Sequence, residues 1–230
     1  MNTQQPIRVL LNGASGKMGR AIDRLITNNP RLNLVVSCKR EEGRADFKEP
    51  FDLVIDFSTP QGAQEAFLLA KKYKKPFLSG TTNLPEPFLF TLQSEEKIPV
   101  FFAPNVSLSV YYFTELVKQA CQMFKGYRKS LHEIHHVHKK DAPSGTAKRL
   151  AAEINLPEEQ ITYERLGETI GTHSVTLSGA LDEITITHNA LNRDLFAVSV
   201  LDIALWLIKR PGGFYTMKDF ANFKLKEKKK

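Results

Sequence analysis

Residues 7 to 19 read IRVLLNGASGKMG, and their reading decides the fold. The continuous apolar run that ends in Gly13 is what a strand buried on both faces of a parallel sheet looks like. Glycines stand at positions 13, 16 and 19, and KMGRAIDRLITNNP (17–30) then carries apolar residues at helical spacing up to a proline stop. A strand that passes through a glycine turn into a helix is the context a dinucleotide fingerprint requires. Glycine lets the backbone turn tightly and approach a pyrophosphate, and the N–H groups at the helix start bind that anion. The spacing is GxxGxxG, a variant of the usual GxGxxG. Two other readings stay open on these residues alone. A mononucleotide P-loop would end as Gly16-Lys17 does, but Met18 stands where Ser or Thr would hold magnesium, and position 11 is Leu rather than Gly. A tight strand-to-helix turn with no ligand is the other.

Working outward, strand and helix patterns alternate. LNLVVSC (32–38) and FDLVIDF (51–57) read as strands, and PQGAQEAFLLAKKYK (60–74) has helical spacing. KPFLSG is a short strand, EPFLFTLQSEE a short helix and IPVFFAPN another strand; Leu108 to Phe124 reads as a helix. This order predicts an α/β chain with a doubly wound parallel sheet. The pattern then changes. RKSLHEIHHVHKK alternates like a strand, Pro143 to Ile154 reads as helical, and HSVTLSGALDEITITH reads as an antiparallel hairpin. A second, mixed or antiparallel sheet region is therefore expected from about Ser107 to Asn192. DLFAVSVLDIALWLIKR is a strongly apolar helix that should pack back on the first domain. The expected division is 1–106 with 193–230 as the dinucleotide-binding part and 107–192 as the substrate part.

The 230 residues are 42% hydrophobic and 25% charged, an ordinary globular composition. No apolar run approaches a membrane span, and MNTQQPIRVLL lacks the basic segment of a secretory signal. Cys38 and Cys121 are far apart, form no metal or redox spacing, and read as packing residues. A cytoplasmic protein is the default expectation. The net charge of +7 sits partly in the last residues, KLKEKKK, expected to be a frayed tail. A basic balance fits nucleic acid, or equally an anionic cofactor with an acidic substrate.

An acidic residue some 20 positions past the glycines would bind a ribose 2′-hydroxyl. Here Lys39 stands at that position, followed by Arg40. Two cations suit the 2′-phosphate of NADPH, which is the preferred cofactor on this reading, with NADH possible. Gly80-Thr81-Thr82-Asn83 and Ala103-Pro104-Asn105-Val106-Ser107 lie at carboxyl ends of expected strands, where α/β proteins bind ligands.

HHVHKKDAPSGTA (135–147) is the other conspicuous stretch. His136 and His138 would share one strand face and His135 the other, with Glu133. No third metal ligand presents itself nearby, although His132, His173 and His188 exist; Lys139 and Lys140 disfavour a cation, so no metal site is predicted. Pro143 suits the first turn of a helix. Ser144, Gly145 and Thr146 would then offer amides and hydroxyls to a carboxylate or phosphate, beside two lysines. Histidines supply protons near neutral pH. These features suggest a reductase of a small acidic substrate.

EIHHVHKKDAPSGTA (133–147) closely resembles the signature of the 4-hydroxy-tetrahydrodipicolinate reductase (dihydrodipicolinate reductase) family, of the diaminopimelate route to lysine. GASGKMG, DFSTPQG (56–62), GTT (80–82), APNVS and ITHNALNR (186–193) fall in the family's order, so the resemblance spans nearly the whole chain. It implies NAD(P)H-dependent reduction of 4-hydroxy-tetrahydrodipicolinate to tetrahydrodipicolinate, with hydride going to ring C4. His135 matches the family's proton donor and acceptor. Lys139 matches its second proton donor, and its charge would also hold a substrate carboxylate. His136 matches a substrate contact, Gly145 and Thr146 the backbone pair on a carboxylate, and Arg193 an arginine near the active site. Gly13, Ala14, Ser15, Gly16, Lys17 and Met18 match cofactor positions. So do Lys39 and Arg40, Phe57, and Gly80, Thr81 and Thr82. Ala103, Pro104, Asn105 and Val106 complete that set. The implied fold is a Rossmann-type domain from both chain ends plus a central α+β substrate and tetramerisation domain, in a homotetramer.

The chain departs from the family in places. Lys39 replaces an acidic residue common there. Asn83 replaces a glycine after GTT, at a turn that asparagine can still make. Pro104 and Ser109 replace smaller residues. The segment between Arg40 and DLVIDF is short, so the adenine edge should be smaller. Two rival functions share parts of the pattern. A basic nucleotide-sensing or nucleic-acid-binding protein would bind in a salt-sensitive way without turnover, and an aspartate- or homoserine-type dehydrogenase would share only the first domain.

Overall fold

The computed structural model describes residues 5–38 and 50–227, and it separates into two units. Unit 1 comprises Met1–Ser107 and Asp194–Lys230, and unit 2 Leu108–Arg193. The first part of unit 1 runs β1 (Ile7–Asn12), α1 (Lys17–Thr27), β2 (Leu32–Cys38), β3 (Leu53–Asp56), α2 (Pro60–Tyr73), β4 (Phe77–Ser79), α3 (Glu86–Gln93) and β5 (Pro99–Phe102). Unit 2 runs α4 (Leu108–Met123), β6 (Arg128–His135), α5 (Gly145–Glu153), β7 (Ile161–Arg165), β8 (Gly171–Ser178) and β9 (Glu183–Ala190). The chain then returns to unit 1 as α6 (Asp194–Leu207), β10 (Gly213–Tyr215) and α7 (Met217–Glu227).

The sheet of unit 1 has the order β10-β5-β4-β3-β1-β2, and every pair in it is parallel. Its central strands are apolar on both faces because helices cover both; Leu53 to Asp56 are all buried. One face packs Phe67, Phe77, Phe88 and Leu92 together with Leu10 and Val54. The sequence reverses direction between β1 and β3, since β2 lies on one side of β1 and β3 on the other. Ligands bind at such a switch point, beyond the carboxyl ends of the strands.

Local chemistry sets the helix ends. Thr59 caps α2 by accepting from the Gly62 amide, Pro60 fills a first-turn position, and Lys74 closes the helix with a φ of 52°. In α7, Met217, Phe220 and Ala221 are buried at helical spacing, so the helix runs to Glu227. The expected frayed tail from Lys224 is thus helical as far as Glu227. β10 was not expected from the sequence; its three residues pair with β5 at the sheet edge.

In unit 2 the sheet order is β7-β6-β8-β9, with β6 and β7 parallel and the other pairs antiparallel. The expected hairpin is β8 and β9. β7 is an addition to the expected elements. Alternation along β8 buries Gly171, His173, Val175 and Leu177 in turn. Val117, Leu131, Leu150, Ile154 and Val175 belong to the apolar core under α4 and α5. Cys121 is half-buried on α4; the side chain of Cys38 lies outside the described set. Among the described residues no helix is long and apolar enough to cross a membrane.

Candidate active site

Unit 1 gathers four of the expected cofactor segments at one edge. Gly13–Met18 follow β1, Phe57 follows β3, Gly80–Thr82 follow β4 and Ala103–Val106 follow β5. Lys39 and Arg40 lie outside the described residues. The glycines are required sterically. Gly13 has a φ of 83°, and a Cβ there would sit 2.3 Å from the Phe57 carbonyl oxygen. At Gly80 a Cβ would sit 2.2 Å from the Phe57 ring. Phe57 thus bridges the first and third loops. α1 starts at an extended Gly16 with no side-chain cap and no acid in its first turn. Ser15, Gly16 and Lys17 are exposed around it. An uncapped helix start beside a lysine fits a pyrophosphate. Asn83 takes a φ of 58°, so the GTT turn survives without its glycine.

Asp56 ties these loops together. It is fully buried. Its Oδ1 accepts from Asn12 Nδ2 at 2.8 Å and Ser58 Oγ at 2.5 Å. Its Oδ2 accepts from Ser79 Oγ at 2.8 Å and Thr81 Oγ1 at 2.7 Å. One carboxylate therefore holds the ends of β1, β3 and β4 through uncharged donors. The sequence displayed DFS and GTT as loop motifs, but not the shared acceptor between them.

In unit 2 the polar cluster lies on the buried face of the sheet. Glu133 and His135 are two apart on β6 and share a face. Glu133 pairs directly with His173 of β8, so His173 joins them. All three are buried. Nδ1 of His135 lies 2.8 Å from Oε2 of Glu133, an ion-pair distance without hydrogen-bond geometry, and neither atom has a hydrogen-bond partner among the described residues. Oε1 of Glu133 accepts from the Ser144 amide at 2.9 Å and from Arg165 Nη2 at 3.2 Å. Burial alone would raise the Glu133 carboxyl; the contacts with His135 and Ser144 outweigh it and hold it down at about 2. Burial, and then the charge of His135, push His173 down to about 4 against the pull of Glu133. Nε2 of His173 faces Ser144 Oγ at 3.3 Å.

The rest of the HHVHKKDAPSGTA stretch is arranged differently from the sequence reading. β6 ends at His135, so His136 and His138 do not share a strand face; residues 137 and 138 form a turn. Pro143 follows a cis peptide bond and stands outside the helix. α5 begins at Gly145 with Ser144 as its cap, Ser144 Oγ accepting from the Ala147 amide at 3.2 Å. Serine's cap preference prevails over proline's place in the first turn. Ser144, expected to touch substrate, is buried with its amide on Glu133 and its hydroxyl in the cap. Gly145 is exposed and Thr146 half-buried. Lys139 Nζ donates to both Asp141 oxygens, at 2.7 and 2.9 Å. A lysine just before the start of α5 thus grips a carboxylate. Arg193 is exposed in the connection after β9.

Glu133, His135 and His173 are also residues of metal-ligand type, with donor atoms within 4.8 Å of one another. The Nδ1 to Oε2 separation of 2.8 Å is that of a proton-sharing pair. It is shorter than the roughly 3.3 Å between ligand atoms of a tetrahedral zinc site. Arg165 beside Glu133 adds a competing charge. Alternation along β6 put Glu133 on the face of His135 in the sequence, but gave it no role. His173 was legible only as one more histidine and Arg165 not at all, because both reach the cluster through strand register.

Known proteins match this chain over most of its length. A family model for the N-terminal part of dihydrodipicolinate reductase matches residues 7–106, and one for its C-terminal part matches 109–221. A 4-hydroxy-tetrahydrodipicolinate reductase of Xanthomonas campestris pv. campestris (strain B100) is 38% identical over 95% of this chain and 99% of its own. One from Campylobacter jejuni subsp. jejuni serotype O:6 is 32% identical over 93% of this chain and 98% of its own. Among solved structures, a dipicolinate-bound dihydrodipicolinate reductase from Paenisporosarcina sp. TG-14 has a TM-score of 0.75 at 20% identity, over 92% of this chain and 97% of that one. The chain belongs to the 4-hydroxy-tetrahydrodipicolinate reductase (dihydrodipicolinate reductase) family of oxidoreductases.

Proposed function

We propose that this chain reduces 4-hydroxy-tetrahydrodipicolinate to tetrahydrodipicolinate, with NADPH as the preferred pyridine nucleotide. The observation that carries the reading is the carboxylate of Asp141 held by Lys139 just before the start of α5. One carboxylate of a small dicarboxylate substrate would take the place of Asp141 on Lys139. The Gly145 and Thr146 amides at the helix start are assigned to the same carboxylate, and His136 and Arg193 to the substrate's other polar groups.

NADPH, when bound, supplies the hydride that reaches C4 of the substrate ring. The uncapped start of α1 holds its pyrophosphate, and the loops at Phe57, Gly80–Thr82 and Ala103–Val106 hold its nicotinamide half. Lys39 and Arg40 carry the preference for the 2′-phosphate. His135 delivers a proton to the reduced substrate from a buried position that excludes bulk water, and Lys139 is the second donor. On the family's pattern the protein is a cytoplasmic homotetramer assembled through residues 107–192.

The test is oxidation of NADPH and of NADH with freshly made substrate, for the wild type and for Lys139→Ala. Loss of a proton donor that also binds charge should lower kcat/KM by roughly 100-fold or more. An unchanged kcat/KM would sink the site assignment. A KM for NADH well below that for NADPH would sink the cofactor preference.

A further inference from the structure

Glu133 touches neither of the proposed ligand-gripping groups, yet it is fully buried and held from three sides. Its Oε1 is taken by the Ser144 amide and Arg165, at 2.9 and 3.2 Å. Those two contacts come from the α5 start and from β7, so the carboxylate cannot turn. Its Oε2 is left for Nδ1 of His135 at 2.8 Å. The contact lacks hydrogen-bond geometry, but two acceptors at that distance repel, so the approach is favourable only with the proton on Nδ1. The other ring nitrogen is also placed. Gly171 stands opposite His135 on β8, and a Cβ there would lie 2.9 Å from Nε2 of His135. The glycine lets the β8 backbone approach Nε2 more closely than a side chain would allow.

We infer that Glu133 is the positioning residue for proton transfer: it holds the N–H of His135 at Nδ1, which leaves Nε2, beside Gly171, as the nitrogen that gives and takes the proton. The inference rests on the proposal that His135 handles the proton. A hydrogen bond at one imidazole nitrogen sets the role of the other. In the transfer, the Nε2–H bond of the imidazolium breaks and its electron pair stays on nitrogen. The proton joins the substrate, and the neutral ring keeps its N–H on Glu133. Glu133 on β6 and His173 on β8 face the ring; Arg165 on β7 faces Glu133, and His188 on β9 and Lys139 in the following loop act on His173. Among these groups Glu133 is the acceptor placed on Nδ1. Ser144 joins this device to the substrate grip, because its amide holds Glu133 while its hydroxyl caps the helix whose next residue is Gly145.

The experiment is long-range ¹H–¹⁵N spectroscopy of the full-length, ¹⁵N-histidine-labelled protein, with His135 assigned from the signals that vanish in His135→Gln. The neutral ring should carry its proton on Nδ1 in the wild type and move it to Nε2 in Glu133→Gln. In the same variant kcat should fall by roughly 100-fold and its pH profile should shift, the size expected when a catalytic imidazole is held in the wrong tautomer. The Kd for NADPH should not move. A wild-type ring protonated at Nε2, or a Glu133→Gln protein with unchanged tautomer and pH profile, overturns the inference. If Glu133→Gln does not fold, the wild-type spectrum and Gly171→Ala decide. The added methyl should lower kcat while Nδ1 stays protonated, and an undiminished kcat overturns the role of Nε2. Full activity in His135→Gln would bring down the proton-handling reading itself. An inactive His135→Gln beside a fully active Glu133→Gln would bring down only the role of Glu133.

Discussion

Among the described residues the two units each bury one carboxylate completely, and they treat it in opposite ways. Asp56 in unit 1 accepts from one amide and three hydroxyl side chains, none of which titrates near neutral pH. Glu133 in unit 2 faces an arginine and two histidines as well as a backbone amide. A buried charge needs partners in either case. Neutral partners make a fixed strut, here one that joins three loops of the proposed cofactor cradle. Titratable partners make a device through which a proton can pass. The difference teaches where each unit is rigid and where it is chemical, and it can be tested by disturbing each web in turn.

The largest effect is expected from Asp56→Asn. The amide keeps one acceptor oxygen and turns an NH₂ group towards hydroxyls that now donate to Oδ2. Ser79 and Thr81 each lose an acceptor while already accepting from backbone amides. Leaving buried donors without a partner costs about 3 kcal/mol in sum. The three loops should loosen together, so NADPH affinity should fall along with the melting temperature. Calorimetry and cofactor titration check both. A stable variant with normal NADPH affinity would mean that Asp56 is no strut.

Asp56 itself shows what the sequence could and could not display. IRVLLNG and FDLVIDF were legible as strands because burial on both faces leaves an unbroken apolar run. Gly13 was legible as a tight turn because few other residues reach a φ of 83°. The parallel sheet and the second, mixed sheet follow from such local patterns. The partners of Asp56 come from three separate loops, so no local pattern announces them. The same holds for His173, which reaches Glu133 only through the register of β6 against β8. β10, with three residues, is too short to show a period. Pro143 misled because both a cap and a first turn lie within two residues of it, and only the need of Ala147 and Glu133 for Ser144 decides between them.

A smaller effect separates the webs by pH. His173 has its folded pKa lowered to about 4 from 6.5, by burial first and by His135 second. Between those values the unfolded chain binds a proton that the folded protein refuses. Stability is therefore complete above about pH 6.5 and declines as the pH falls towards about 4. From pH 6.5 to pH 5 the loss should be about 2 kcal/mol, at about 1.4 kcal/mol per pH unit. Glu133 adds a later loss, since a carboxyl held down at about 2 gives up its contribution as the pH drops below the ordinary range of 4.5. Urea unfolding at the two pH values measures the first step. In His173→Asn that step should shrink to the smaller part that burial of His188 contributes, while the Glu133 step at lower pH remains. An unchanged slope in the variant would show that the neutral imidazole is not the source.

The smallest effect, and the sharpest on the neutral web, is that of Ser58→Ala. Ser58 Oγ donates to Asp56 and is one of four donors there. It also accepts from Asn12 Nδ2 at 2.9 Å. Asn12 keeps Asp56 and the Gly62 carbonyl when the hydroxyl goes, and Oδ1 keeps Asn12. Ser58 is only half-buried, so water can reach the gap. One hydrogen bond of this kind is worth about 1 kcal/mol. That corresponds to a fall of roughly 2–4 °C in melting temperature for a chain of this size. If the web is a set of parallel struts, Ser58→Ala should stop there and leave NADPH affinity close to normal. A loss as large as that of Asp56→Asn would mean that the donors act as one unit. The neutral web would then be as tightly coupled as the titrating one, and the contrast between the two carboxylates would rest on proton chemistry alone.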